Sequence, residues 1–159
     1  MFRSGIGYDA HRFGEGRKLV LGGVEIPHVR GLEGHSDADV LTHAIADALL
    51  GAIGERDIGH HFPNSDESIR GISSLEILRR VGEIVAEKKC RVANVDATLI
   101  AEAPKIGPHL DAMREKISAA LGINVGQVGI KATTNEGMGA LGRGEGMAAM
   151  AVATVEESQ

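Results

Sequence analysis

SDADVLTHAIADALLGAIG, residues 36–54, is the stretch whose reading decides the fold. From Asp39 onward Val40, Leu41, Ala44, Ile45, Ala48, Leu49 and Ile53 recur at helical spacing. Ser36 or Asp37 is placed to cap the helix start, and Gly54 to end it. On its N-terminal side, residues 3–11 read as a strand. Lys18 to Leu21 and Val24 to Ile26, around Gly22-Gly23, read as a hairpin, and Gly31 to Gly34 as a loop. On the other side, Asp57 to Gly71 reads as a long loop. A second helix opens at Ser73, with Glu76 at capping-box spacing. Val92 to Ala101 alternates as a strand, Leu110 to Leu121 forms a third helix closed by Gly122, and Val128 to Thr133 and Met147 to Val155 are further strands. Strands interleaved with helices predict an α/β (α+β sandwich) fold, a mixed β-sheet with helices covering one face. With no internal repeat or linker in view, residues 1–159 are expected to form a single domain.

The composition narrows the function. With 43% hydrophobic and 25% charged residues, the chain has an ordinary globular make-up and needs no disulfide staples. The net charge of −5 argues against a nucleic-acid binder, while a local cleft can still welcome an anion. Cys90 is the lone cysteine and is read as a bystander at a helix end in a reducing compartment. No run is long enough to cross a bilayer, and Met1 to Gly5 begins no apolar signal core, so a cytoplasmic location is expected. The 22 glycines let backbone come close to ligands or to other chains.

Three side chains suggest a metal. Asp9 and His11 stand at i and i+2 on a strand and so share a face. His43 sits in the apolar helix between Asp39 and Asp47, an acidic–His–acidic stripe at i, i+4, i+8. A cation would offset the cost of burying His43, and one flanking carboxylate could orient an imidazole from behind. Two imidazoles and one carboxylate match a catalytic zinc site with one open position. The competing reading makes His43 a hydrogen-bonded core histidine and Asp9 a turn residue. His60-His61 are read as loop residues. His35 precedes the helix bearing His43, where backbone N–H groups favour phosphate.

The run Gly137 to Gly142 matches G-x-G-x-x-G in form only, because a strand follows where a dinucleotide fold needs a helix. What remains is Thr133, Thr134, Glu136 and Arg143 close together. Hydroxyls and an arginine suit phosphate oxygens, and Glu136 suits a magnesium shared with them. A plain polar hairpin loop is the other possibility.

Taken together, Gly7-Tyr8-Asp9-Ala10-His11, Leu21-Gly22-Gly23-Val24, His35-Ser36-Asp37-Ala38-Asp39-Val40, Asp57-Ile58-Gly59 with Phe62-Pro63, Ala101-Glu102-Ala103-Pro104-Lys105, Lys131-Ala132-Thr133-Thr134 and Gly142-Arg143-Gly144-Glu145-Gly146 resemble the 2-C-methyl-D-erythritol 2,4-cyclodiphosphate synthase family, in family order across nearly the whole chain. The resemblance implies a single catalytic domain assembled as a homotrimer with sites between subunits. It implies one Zn2+ per subunit on Asp9, His11 and His43, and Mg2+ or Mn2+ on Glu136 with the substrate diphosphate. His35 and Thr134 would steady the transition state. Ser36 and the segment Asp57, Ile58, Gly59, Phe62, Pro63, Asn64, Ser65 and Asp66 would hold the erythritol part. Ala101, Ala103, Pro104, Lys105 and Ile106, with Thr133, would form the cytidine pocket, and Arg143 would meet phosphate. The implied reaction is intramolecular: a 2-phosphate attacks the β-phosphorus of a cytidine-diphosphate substrate, CMP leaves and a ring closes. Departures are Asn64, often acidic in the family; Asn135, in a run often of three threonines; and Ala140 and Met150, where some members carry phenylalanine and glutamate around the trimer axis. A phosphohydrolase using the same metal and a non-catalytic nucleotide-binding trimer are the competing functions.

Overall fold

The computed structural model describes residues 1–158. In chain order the strands are β1 (Phe2–Gly14), β2 (Leu19–Leu21), β3 (Val24–Ile26), β4 (Gly31–Leu32), β5 (Cys90–Ile100), β6 (Val128–Thr133) and β7 (Gly146–Glu157). The helices are α1 (Val40–Ala52), α2 (Ile58–His61), α3 (Ser74–Glu87), α4 (Leu110–Leu121) and α5 (Gly139–Gly142). Five strands form one sheet in the order β4-β1-β7-β5-β6, while β2 and β3 make a separate hairpin. All neighbours in the large sheet are antiparallel except β5 and β6. A parallel pair needs a crossover, and α4 supplies it. The expected mixed sheet with helices on one face is what forms.

Alternation along the strands sets the layers. Val95, Ala97 and Leu99 of β5 and Ala149, Ala151, Ala153 and Val155 of β7 are buried beneath the helices. Phe2, Ile6, Tyr8, Met150 and Val152 project from the other face and are exposed. Helix α1 lies on β1 and β7, and α3 and α4 lie over β5 and β6. The approach of α1 to β1 is backbone to backbone. A Cβ on Gly7 would stand 1.9 Å from the Ala44 carbonyl oxygen, and one on Gly5 2.2 Å from that of Ala48.

Asp39 joins the hairpin to α1. Fully buried, it accepts from the backbone N–H groups of Gly22 (2.9 Å), Gly23 (2.8 Å) and Thr42 (3.0 Å) and from the Thr42 hydroxyl (2.8 Å). Gly22 and Gly23 have φ of 55° and 73°, the left-handed pair that a two-residue hairpin turn requires. Burial pushes the Asp39 carboxyl above its usual value, and these donors oppose that push.

Several local expectations are corrected. The cap of α1 is Asp39, not Ser36 or Asp37. Asp37 instead accepts from the Ser74 N–H (3.0 Å) and from the Ser74 hydroxyl, and so anchors α3. The Ser73–Glu76 capping box does not form, because Glu76 pairs with Arg79 and Arg80. Gly31–Leu32 is a short strand on β1 rather than loop. Residues 57–71 hold α2 and a 3-10 turn at Glu67–Ile69, and Cys90 begins β5.

Candidate active site

Strand β1 and helix α1 bring the three predicted ligands together. Side-chain ligand atoms of Asp9, His11 and His43 lie within 4.8 Å of one another. His11 Nε2 is 2.9 Å and His43 Nδ1 3.1 Å from the same Asp9 oxygen, Oδ2. The far side of each ring is also held. His11 Nδ1 lies 2.6 Å from the Glu33 carbonyl oxygen. A carbonyl only accepts, so Nδ1 carries the proton and the Nε2 lone pair faces Asp9. His43 Nε2 meets the hydroxyls of Ser74 (2.8 Å) and Ser36 (3.2 Å).

Without a cation, a lone pair would oppose a carboxylate, and the protein's remedy is a proton. The hydrogen bond to Asp9 raises the His11 pKa above its ordinary value, with burial opposing. Burial pushes the Asp9 carboxyl up, yet its bonds to His11 and His43 outweigh that and hold it at about 2. The donor set fits a divalent cation: one ionised carboxylate, two imidazoles with their outer nitrogens fixed, and room for a fourth ligand.

The triad opens into a cavity of about 350 Å³ also lined by Gly34, His35, Ser36, Asp47, Asp57, Ile58, Gly59, Phe62 and Asn64. His35 lines this cavity, and its Nε2 is buried without a protein partner, an orphaned polar atom at the cavity wall. Of the remaining predicted residues on this loop, Pro63, Ser65 and Asp66 are not among the lining. Asp66 caps the 3-10 turn through the Ser68 N–H (3.0 Å). The stripe on α1 is corrected: neither Asp39 nor Asp47 orients the His43 ring, a task that falls to Ser74 and Ser36. The sequence reading gave Ser74 no role and took Ser36 as a possible cap and a substrate contact, because the partner of both lies across the fold. His60 and His61 belong to α2, with His61 Nε2 3.4 Å from Glu55.

A second group gathers where β5 and β6 end. Ala101 N–H donates to the Thr133 carbonyl at 2.9 Å. One Glu102 oxygen accepts from the N–H groups of Asn135 (2.8 Å) and Gly137 (3.3 Å). Between those donors Glu136 takes φ 52°, left-handed backbone that this clamp holds. Sequence reasoning quoted Glu102 within a motif but gave it no role of its own, because the partners it clamps lie more than thirty positions away. Thr134 and Glu136 are side-chain partners at 3.3 Å. Ala101 and Ile106 are buried in the core, and Ala103, Pro104 and Lys105 lie between them. Arg143 is paired with Glu145 at 2.8 Å. The segment Gly137 to Gly142 ends in a one-turn helix followed by β7, so no dinucleotide fold forms.

The two groups do not meet within one chain. None of Ala101, Ala103, Pro104, Lys105, Ile106, Thr133, Thr134, Glu136 or Arg143 lines the metal cavity. Asp9, Ala149, Leu99 and Ala132 form one row across the sheet, so both groups stand at the same height. They are three strands apart, roughly 14 Å at the usual strand spacing.

Comparison with known proteins agrees with this geometry. The model of the YgbB family matches residues 2–156. The 2-C-methyl-D-erythritol 2,4-cyclodiphosphate synthase of Alkaliphilus metalliredigens (strain QYMF) is 60% identical over 156 residues, covering 98% of each chain. Among solved structures, a CDP complex of IspF from Plasmodium falciparum superposes with a TM-score of 0.86 at 32% identity, over 99% of this chain and 97% of that one. The bifunctional IspDF of Campylobacter jejuni matches at TM-score 0.96 and 37% identity, over 100% of this chain and 43% of its own length. Matched from end to end by the family model and by relatives of this identity, the chain belongs to the YgbB family of 2-C-methyl-D-erythritol 2,4-cyclodiphosphate synthases.

Proposed function

We propose that the chain is a metal-dependent phosphorus–oxygen lyase, converting 4-diphosphocytidyl-2-C-methyl-D-erythritol 2-phosphate to the cyclic diphosphate with release of CMP. A P–O bond forms from the 2-phosphate oxygen to the β-phosphorus, and the bond from that phosphorus to the oxygen leaving with CMP breaks. The observation that carries this reading is the convergence of Asp9, His11 and His43 on one point at a cavity containing the unpartnered His35, in a chain of this family.

Asp9, His11 and His43 would hold zinc, and Glu136 magnesium or manganese. Divalent cations there would neutralise phosphate oxygens and polarise the phosphorus under attack. The chain's own residues position the two ends of the substrate, which is most of what phosphoryl transfer needs. His35 donates to a phosphate oxygen from the cavity wall, and the Thr134 hydroxyl does so from the β6 exit. Ser36, Asp57, Ile58, Gly59, Phe62, Pro63, Asn64, Ser65 and Asp66 hold the polyol. Ala101 to Ile106, with Thr133, seat the cytidine, and Arg143 meets phosphate on release from Glu145.

A homotrimer supplies the missing proximity. The metal group sits near one edge of the sheet and the nucleotide group at the other, level with each other. A rotation about an axis along the strands carries the β6 edge of one copy to the β1 edge of the next. The exposed apolar face bearing Ile6, Tyr8, Met150 and Val152 is then buried about that axis.

Phosphorus NMR of the products tests the reading. CMP and a cyclic diphosphate without inorganic phosphate are expected; free phosphate would mean a hydrolase. His43→Ala is expected to abolish turnover, by at least about a thousandfold, with the oligomer intact on sedimentation. A binding module would show a lowered melting temperature with no turnover to lose.

A further inference from the structure

Helix α1 carries Asp39, His43 and Asp47 on one stripe, and the first two have their tasks: Asp39 clamps the hairpin, and His43 faces Asp9. Asp47 is left. Half-buried, it lines the cavity with Asp9 and Asp57, two further carboxylates whose like charge opposes its own. Its one protein hydrogen bond among the described side-chain contacts comes from the Ile58 N–H, at 2.8 Å.

That bond ends on the first helical residue of α2. A four-residue helix has no stability of its own, since nucleation costs more than one turn returns. As the first helical residue, Ile58 has no intrahelical acceptor for its N–H, and Asp47 is the protein acceptor that the described contacts give it. The other end of α2 is held by Phe62, which packs against the core, and near the surface by His61, which meets Glu55 at 3.4 Å, while Glu55 meets Lys88 at 2.6 Å. Asp47 therefore links the cavity rim to the helix bearing His43, one turn from that ring.

We propose that Asp47 is a positioning residue: it pins the rim formed by Asp57, Ile58 and Gly59 at a fixed depth above the metal triad, and thereby sets where the polyol end of the substrate lies relative to the reacting phosphate. This rests on the functional reading above. Freed from Asp47, the rim would still carry its own groups but not hold them in register with His43.

Asp47→Ala and Asp47→Asn, in the full-length zinc-loaded protein, test it. For alanine the expected result is a rise in KM for the cyclisation substrate of about ten- to a hundredfold. The Kd for CDP, which lacks the polyol, and the zinc content stay at wild-type values, and amide exchange over residues 57–61 accelerates. Asparagine keeps an oxygen to accept the Ile58 N–H, so its KM should return to within about threefold of wild type. An unchanged KM in Asp47→Ala, a parallel loss of CDP or zinc binding, or an asparagine variant no better than alanine overturns the proposal. Asp47→Ser, too short to reach Ile58, replaces the alanine variant if that one does not fold. A wild-type protein that forms no CMP refutes the functional reading instead, and exchange over residues 57–61 then still decides the anchoring.

Discussion

His11 is caught between a proton and a metal. Asp9 raises its pKa in the metal-free protein, and a metal ligand must be deprotonated. The proton therefore competes to a higher pH than at an ordinary imidazole. Apparent zinc affinity, followed by calorimetry on chelator-stripped protein, is expected to climb with pH through the raised His11 value and level off above it. Below that value each pH unit costs up to about tenfold in affinity from His11 alone. The carboxylate adds no dependence there, because Asp9 at about 2 stays ionised throughout. The triad was legible because i and i+2 share a strand face and His43 interrupts an apolar helix. Its outer partners, the Glu33 carbonyl and the Ser74 hydroxyl, were not, since neither residue type announces a histidine neighbour distant in sequence.

The seating of α1 on β1 depends on two missing side chains. Gly7→Ala would drive a methyl group into the Ala44 carbonyl, a clash that no side-chain rotation relieves. The expected loss is about 3 kcal/mol, seen in a thermal melt as a drop of roughly 6–12 °C. Elements whose signals are local matched the sequence: Leu110–Leu121 with Gly122 behind it, and the strand Val128–Thr133. Where expectation failed, a polar residue had been claimed by another part of the fold. Ser36 and Asp37 look like caps for α1, yet one turns to His43 and the other to the start of α3. Helix α2 had no signature at all, because what holds its first turn comes from α1.

For the molecule as a whole, the predicted site residues fall into two sets at opposite sides of one sheet, a separation that no spacing along the chain could reveal. If neighbouring copies complete the site, breaking the assembly should silence it. Val152→Lys puts a charge on the exposed apolar face, at a position that does not line the metal cavity, and is expected to give a folded monomer by light scattering. Its turnover should fall at least about a hundredfold while zinc is retained. The sheet order has one more effect. Strand β7, after all the others in sequence, lies between β1 and β5 and pairs with both. During synthesis, then, the two strands that flank it must wait with bare edges until the ribosome has released the segment that closes them. Quality-control factors in the cell would meet that half-finished sheet long before any substrate meets the finished one.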